Sequence, residues 1–154
     1  MTGLIQELKE HHIHLLSILK LAKINGFATL ETRELLRSAR MTLLDHLRKE
    51  DLELYPVLHT AAMNNPAIKE TLDTFAKDMA ETLKVAHGFF KKWDQGGTDH
   101  DLSKEFGLLQ AKLISLIRRE EELIFPLYEQ ITTKNAAKPI ADNHGAAPRP
   151  TDGA

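Results

Sequence analysis

The chain has no cysteine, which excludes disulfides, thiolate metal sites and a Cys nucleophile. That absence fits a cytoplasmic protein. A basic excess is also missing: 20 Lys and Arg against 22 Asp and Glu leave a formal charge of −2. A nucleic-acid-binding face needs the opposite balance, so no nucleic-acid partner is expected. No uninterrupted apolar run approaches the roughly 20 residues that span a bilayer, so no membrane association is expected either. The opening MTGLIQELKEHHIHLL carries acids and histidines within its apolar periodicity and has no small-residue cleavage site. It does not read as a signal peptide. Glycine and proline are scarce, at 8 and 6, and they cluster.

What is present is the composition of one ordinary globular domain, 42% apolar and 27% charged. The clustered breakers punctuate it at Asn25-Gly26, Asn64-Asn65-Pro66 and Gly96-Gly97. The four segments between are rich in Leu, Ala, Glu and Lys, which favours helix. Apolar residues recur at steps of three and four: Leu4, Leu8, Leu15 and Leu19 in the first segment; Leu36, Ala39, Leu43, Leu47, Leu54 and Leu58 in the second. The third gives Ile68, Leu72, Phe75, Met79, Leu83 and Phe90, with Trp93 one turn on. The fourth gives Leu102, Phe106, Leu109, Leu113, Leu116, Leu123 and Leu127. Each segment so carries one apolar stripe. Thr29 or Thr32 is placed to cap the second helix, and Asp99 or Asp101 the fourth. The expected fold is all-α: an up-down-up-down four-helix bundle over residues 1–134. Residues 135–154, AKPIADNHGAAPRPTDGA with its flanking alanine and asparagine, lack periodicity and read as a disordered tail.

Several polar residues interrupt these stripes without leaving them. Glu50 falls between Leu47 and Leu54, and His46 lies one turn before it. His87 sits between Leu83 and Phe90, and Glu120 between Leu116 and Leu123. On the first helix His12 lies between Leu8 and Leu15, with His11 almost as well placed. A single such histidine is more often a hydrogen-bonded core residue than a ligand. Bare carboxylates inside a protein are costly, and one inward His or Glu from every helix at similar depth is what a metal between helices requires. Arg48-Lys49, Arg118-Arg119 and Glu121-Glu122 read as solvated outer faces, and His14, His59, His100 and His144 are assigned nothing.

Two stretches are near-copies, HLRKEDLELYP at 46–56 and LIRREEELIFP at 116–126. HxxxE followed six residues after the Glu by Pro, with the first-helix KEHHIHLLSIL and the lone His87, resembles the hemerythrin-like HHE cation-binding domain over roughly residues 4–132. The resemblance favours His12 over His11. It implies a bundle holding non-heme iron as a diiron site, with Glu50 and Glu120 bridging. His12, His46 and Glu50 would serve one metal; His87 and Glu120 would serve the other. It also implies binding or sensing of dioxygen or a related small ligand such as nitric oxide or peroxide. Leu116 departs from the pattern by standing where a second HxxxE histidine belongs. The second metal position is then incomplete, filled by water or by Glu121, weakly occupied, or absent, leaving a mononuclear site. The contrasting reading is a metal-poor helical interaction or regulatory module. A peroxide- or oxygen-reducing enzyme using the open coordination position is a third.

Overall fold

The computed structural model describes residues 3–136. Within them the chain is all-α, with no strand among the described residues. Helix α1 spans Gly3–Asn25 and α2 spans Leu30–Lys49. A π-helical turn, Glu50–Leu54, joins α2 to α3, Tyr55–Ala62. Helix α4 runs Pro66–Asp94, and α5 covers Asp99–Arg119. A second π-turn, Glu120–Ile124, leads into α6, Phe125–Ala136. Counting each π-joined pair once, there are four long helical segments. The tail expected from residue 135 lies outside the described residues from 137 onward.

The breaks fall where the punctuation put them. Gly26 and Gly96 take positive φ, 78° and 74°, a conformation side chains resist. Thr29 caps α2, its hydroxyl oxygen accepting from the Thr32 N–H at 3.1 Å. Asn65 caps α4 in the same way. The cap of α5 is Thr98, not Asp99 or Asp101; both acids sit in the first turn, where they complement the helix dipole.

The two π-turns explain the near-copies. In each, the N–H of the residue before proline bonds the glutamate carbonyl five residues back: Tyr55 to Glu50, and Phe125 to Glu120. Pro56 and Pro126 lack an N–H, and their rings clash with the carbonyl four residues earlier in a regular helix. Widening the preceding turn relieves that clash and lets each proline begin the next α-helix. The extra residue also shifts the stripe. Past Glu120 it is Ile124 and Phe125 that are buried, while Leu123, expected inward, is 55% exposed.

Two apolar clusters form the core. One gathers Leu15, Leu19, Leu36, Phe89, Phe106 and Leu113. The other gathers Leu8, Leu54, Leu58, Phe75, Ile124 and Phe125. Each long segment passes from one cluster to the other, and at the crossing it carries a buried polar residue: His12, His46 with Glu50, Thr82, and Glu120.

Candidate metal centre

His12, His46, Glu50 and Glu120 are each at most 5% exposed and meet in that layer. His12 Nε2 lies 3.2 Å from His46 Nε2 and 3.0 Å from Glu120 Oε1. His46 Nε2 is 3.4 Å from the same Glu120 oxygen and 3.1 Å from Glu50 Oε1. Despite that last distance, neither Glu50 oxygen has a hydrogen-bond partner among the described residues. Orphaned buried carboxylate oxygens beside two imidazole nitrogens facing each other are hard to satisfy with protons alone. An ion does satisfy them. With ligand bonds of about 2.1 Å, neighbouring donors on one metal stand about 3.0–3.4 Å apart. His12, His46 and Glu120 accordingly form a cluster whose ligand atoms all lie within 4.8 Å, and it could hold a metal ion.

Partners behind the donors fix their orientation. His12 Nδ1 is 3.3 Å from Glu121 Oε2, so a proton held there leaves the Nε2 lone pair facing inward. His46 Nδ1 contacts His11 Nδ1 at 3.2 Å. His11 therefore stands behind His46, half-buried, and His12 is the inward residue of the pair. Tyr55 donates its hydroxyl to Glu120 Oε2 at 3.0 Å, leaving Oε1 toward the cluster. Phe125, which takes the place of Tyr55 in the second near-copy, stacks on His12 at 5.5 Å. Glu121, expected as a candidate filler beside Leu116, and His11, expected as the alternative inward histidine, both stand behind the donors instead, and Tyr55 was assigned no role. The substitution of Tyr-Pro for Phe-Pro between the copies was the signal for the last. Tyr55→Phe is expected to leave Glu120 Oε2 buried and unsatisfied, lowering stability by about 1–2 kcal/mol. Metal affinity should fall on the order of tenfold, read by chelator competition.

Two expected positions do not join the cluster. His87 is exposed, one residue out of phase with the buried Thr82, Ala86 and Phe89 of α4. The third stripe therefore turns inward through a threonine and an alanine, not through Leu83 and Phe90, which are half-buried at its edge. Leu116, half-buried, forms part of the wall of a cavity of about 30 Å3 that the four polar residues also line. Glu121 contacts the outer nitrogen of His12 and does not occupy the position beside Leu116.

The Hemerythrin HHE cation binding domain model matches residues 3–128. The chain belongs to this family. No curated protein and no solved structure gives a significant match. In this hemerythrin-like chain the family's cation has a physical counterpart in the donors that converge between the two apolar clusters.

The electrostatics that the protein groups alone impose follow from their burial. Burial pushes the Glu50 carboxyl up to about 9. Burial pulls His46 down, but Glu120 and Glu50 beside it outweigh this and raise it to about 9. Glu120 resists burial through His12 and His46 and stays well below the usual carboxylate range. Burial, with the Glu120 and Glu50 charges, pushes the Tyr55 hydroxyl far up.

Glu50 and His46 hold protons more tightly folded than at their ordinary values of 4.5 and 6.5. The stability His46 contributes is complete below pH 6.5 and is lost as pH rises through about 9; Glu50 has the same sign, beginning at 4.5. Metal-free protein should therefore melt lower at pH 9 than at pH 6, by about 3–8 °C for a loss of 1–2 kcal/mol. Metal ligands must be deprotonated, so the loaded protein should show a flatter or reversed slope by calorimetry.

Proposed function

We propose that the protein holds one non-heme iron ion through His12, His46, Glu50 and Glu120, and uses it to bind or sense dioxygen or a related small molecule such as nitric oxide or peroxide. The observation that carries this reading is the donor spacing around Glu120 Oε1, 3.0–3.4 Å, beside the orphaned Glu50 oxygens. Two imidazoles with carboxylate suit non-heme iron(II). One ion is favoured over two because Leu116 is apolar and His87 faces away, so a second ion would have no imidazole of its own. In this reading the four helical segments over residues 1–134 run up-down-up-down, and all of them line the cavity at the centre.

Iron, when bound, supplies a redox-active Lewis acid. The residues of this chain select what reaches it. A cavity of about 30 Å3 has room for an ion, a water or a diatomic molecule, and none for an organic substrate. Leu15, Leu113, Leu116 and Met79 give it apolar walls that disfavour bulk water. Glu121, His11 and Tyr55 hold the donors so that little reorganisation accompanies binding.

Metal counting after anaerobic loading with iron(II) and desalting tests the proposal. About one iron per chain is expected. About two would restore a paired centre, and less than half of an equivalent would remove metal binding from the function. The leucine at 116 and the outward His87 also favour a second reading, a bundle kept as an interaction scaffold. That reading expects the same melting temperature with and without iron, whereas an ion bound only to the native state raises it.

A further inference from the structure

Between α2 and α4 lies a solvent-open cleft of about 580 Å3, walled by Leu43, Leu47, Leu83 and Phe90. Leu43, Leu47 and Leu83 also wall the small cavity at the metal centre, so one layer of side chains separates the two spaces. The rim of the cleft is polar and asymmetric in charge. Arg40 donates to Asp94 at 3.0 Å and lies over the rings of Phe90 and Trp93, at 4.4 and 5.4 Å. Asp94 thus offsets Arg40. His87 and Lys91, one turn apart on α4, line the same rim and have no ion-pair or hydrogen-bond partner among the described residues. Lys91 is an unbalanced positive charge at the mouth of an apolar cleft. A lysine in the last turn of a helix is ordinary, since it complements the dipole. A lysine and a histidine left unpartnered over an open row of leucines are not accounted for by that.

We propose that this cleft binds a free amphipathic monoanion, a single-chain carboxylate. Its apolar body lies on Leu43, Leu47, Leu83 and Phe90, and its head group meets Lys91 and His87. The volume is in the range of small-molecule sites, roughly 300–1,000 Å3, with the expected pattern of apolar walls and few polar groups. The charge at the rim matches one negative charge. The ligand is too large for the inner cavity, so its binding stands apart from the metal reading and is expected with or without iron.

The test uses the full chain, with decanoate as probe and decyltrimethylammonium as its cationic counterpart, both below micelle formation. Calorimetry should show decanoate binding about tenfold tighter than the cation, a difference of about 1.4 kcal/mol. Leucine methyl resonances of Leu43, Leu47 and Leu83 should shift on titration. Lys91→Glu, at an exposed position, should weaken decanoate about tenfold while Lys91→Arg retains it. Equal binding of the two probes, shifts confined to other leucines, or no binding would overturn the proposal. So would capture by phosphatidylglycerol vesicles in preference to free decanoate, which would make the face a lipid surface.

Discussion

Replacing Glu120 with alanine is expected to abolish stable metal binding and to destabilise the metal-free protein as well. Glu120 Oε1 is the atom that both inward imidazole nitrogens approach, at 3.0 and 3.4 Å. Its other oxygen accepts from Tyr55. Removing the carboxylate takes a donor from the ion, which exceeds the roughly 10–100-fold affinity loss typical of outer-shell changes. Competition with a chromophoric chelator should show a loss of at least about 100-fold, and the protein should emerge from desalting without iron. In the metal-free protein the substitution leaves the buried His46 with Glu50 as its remaining carboxylate neighbour, and strands the Tyr55 hydroxyl. Breaking a buried ionic contact on one side commonly costs about 3–5 kcal/mol. Glu120→Gln separates the two effects. It keeps the size and an acceptor for Tyr55 but removes the charge, so it should recover much of the stability and little of the metal binding. If Glu120→Ala retains one tightly held iron, the centre described above is wrong.

How far the sequence discloses this arrangement depends on whether a feature is set locally. Helix breaks at Gly26 and Gly96 are legible because positive φ is a property of one residue. Inward placement of His12, His46, Glu50 and Glu120 is legible because three- and four-residue steps link each to leucines in an unbroken helix. The outward position of His87 is not legible, because hydrophobicity alone prefers Leu83 and Phe90 to Thr82 and Ala86. The smaller pair faces the polar layer, where four side chains from other helices already crowd the space. The π-turns could not be read from periodicity, since they insert a residue into the very period being counted. Their only trace is the repeated glutamate-to-proline spacing, which carries no hydrophobic signal. The supports behind the donors come from other helices altogether: Glu121 to His12, and His11 to His46. Pairings of this kind arise only once the bundle has packed.

Glu50→Leu is expected to make the metal-free protein more stable while removing its affinity for iron. Glu50 is 1% exposed, and neither of its oxygens has a hydrogen-bond partner among the described residues. Burial raises its carboxyl to about 9, which measures how poorly the metal-free fold solvates the charge. It opens the π-turn that Leu54 closes, with Leu58 following on α3, and both leucines are fully buried, so leucine extends an existing apolar row. Replacing buried ionic groups by apolar side chains of similar volume has stabilised other proteins by about 1–4 kcal/mol. A gain of about 1–2 kcal/mol, or roughly 3–8 °C in melting temperature, is therefore expected at pH 8, where the unfolded glutamate is ionised. The gain should shrink toward pH 5, because both folded and unfolded glutamate then approach protonation. Iron should reverse the ranking: it raises the melting temperature of the parent chain and leaves the variant unmoved. Such a crossing identifies Glu50 as a group held in a destabilising position for its ligand. Should Glu50→Leu instead lower metal-free stability, the carboxylate has a structural partner and the case for an ion at its oxygens fails.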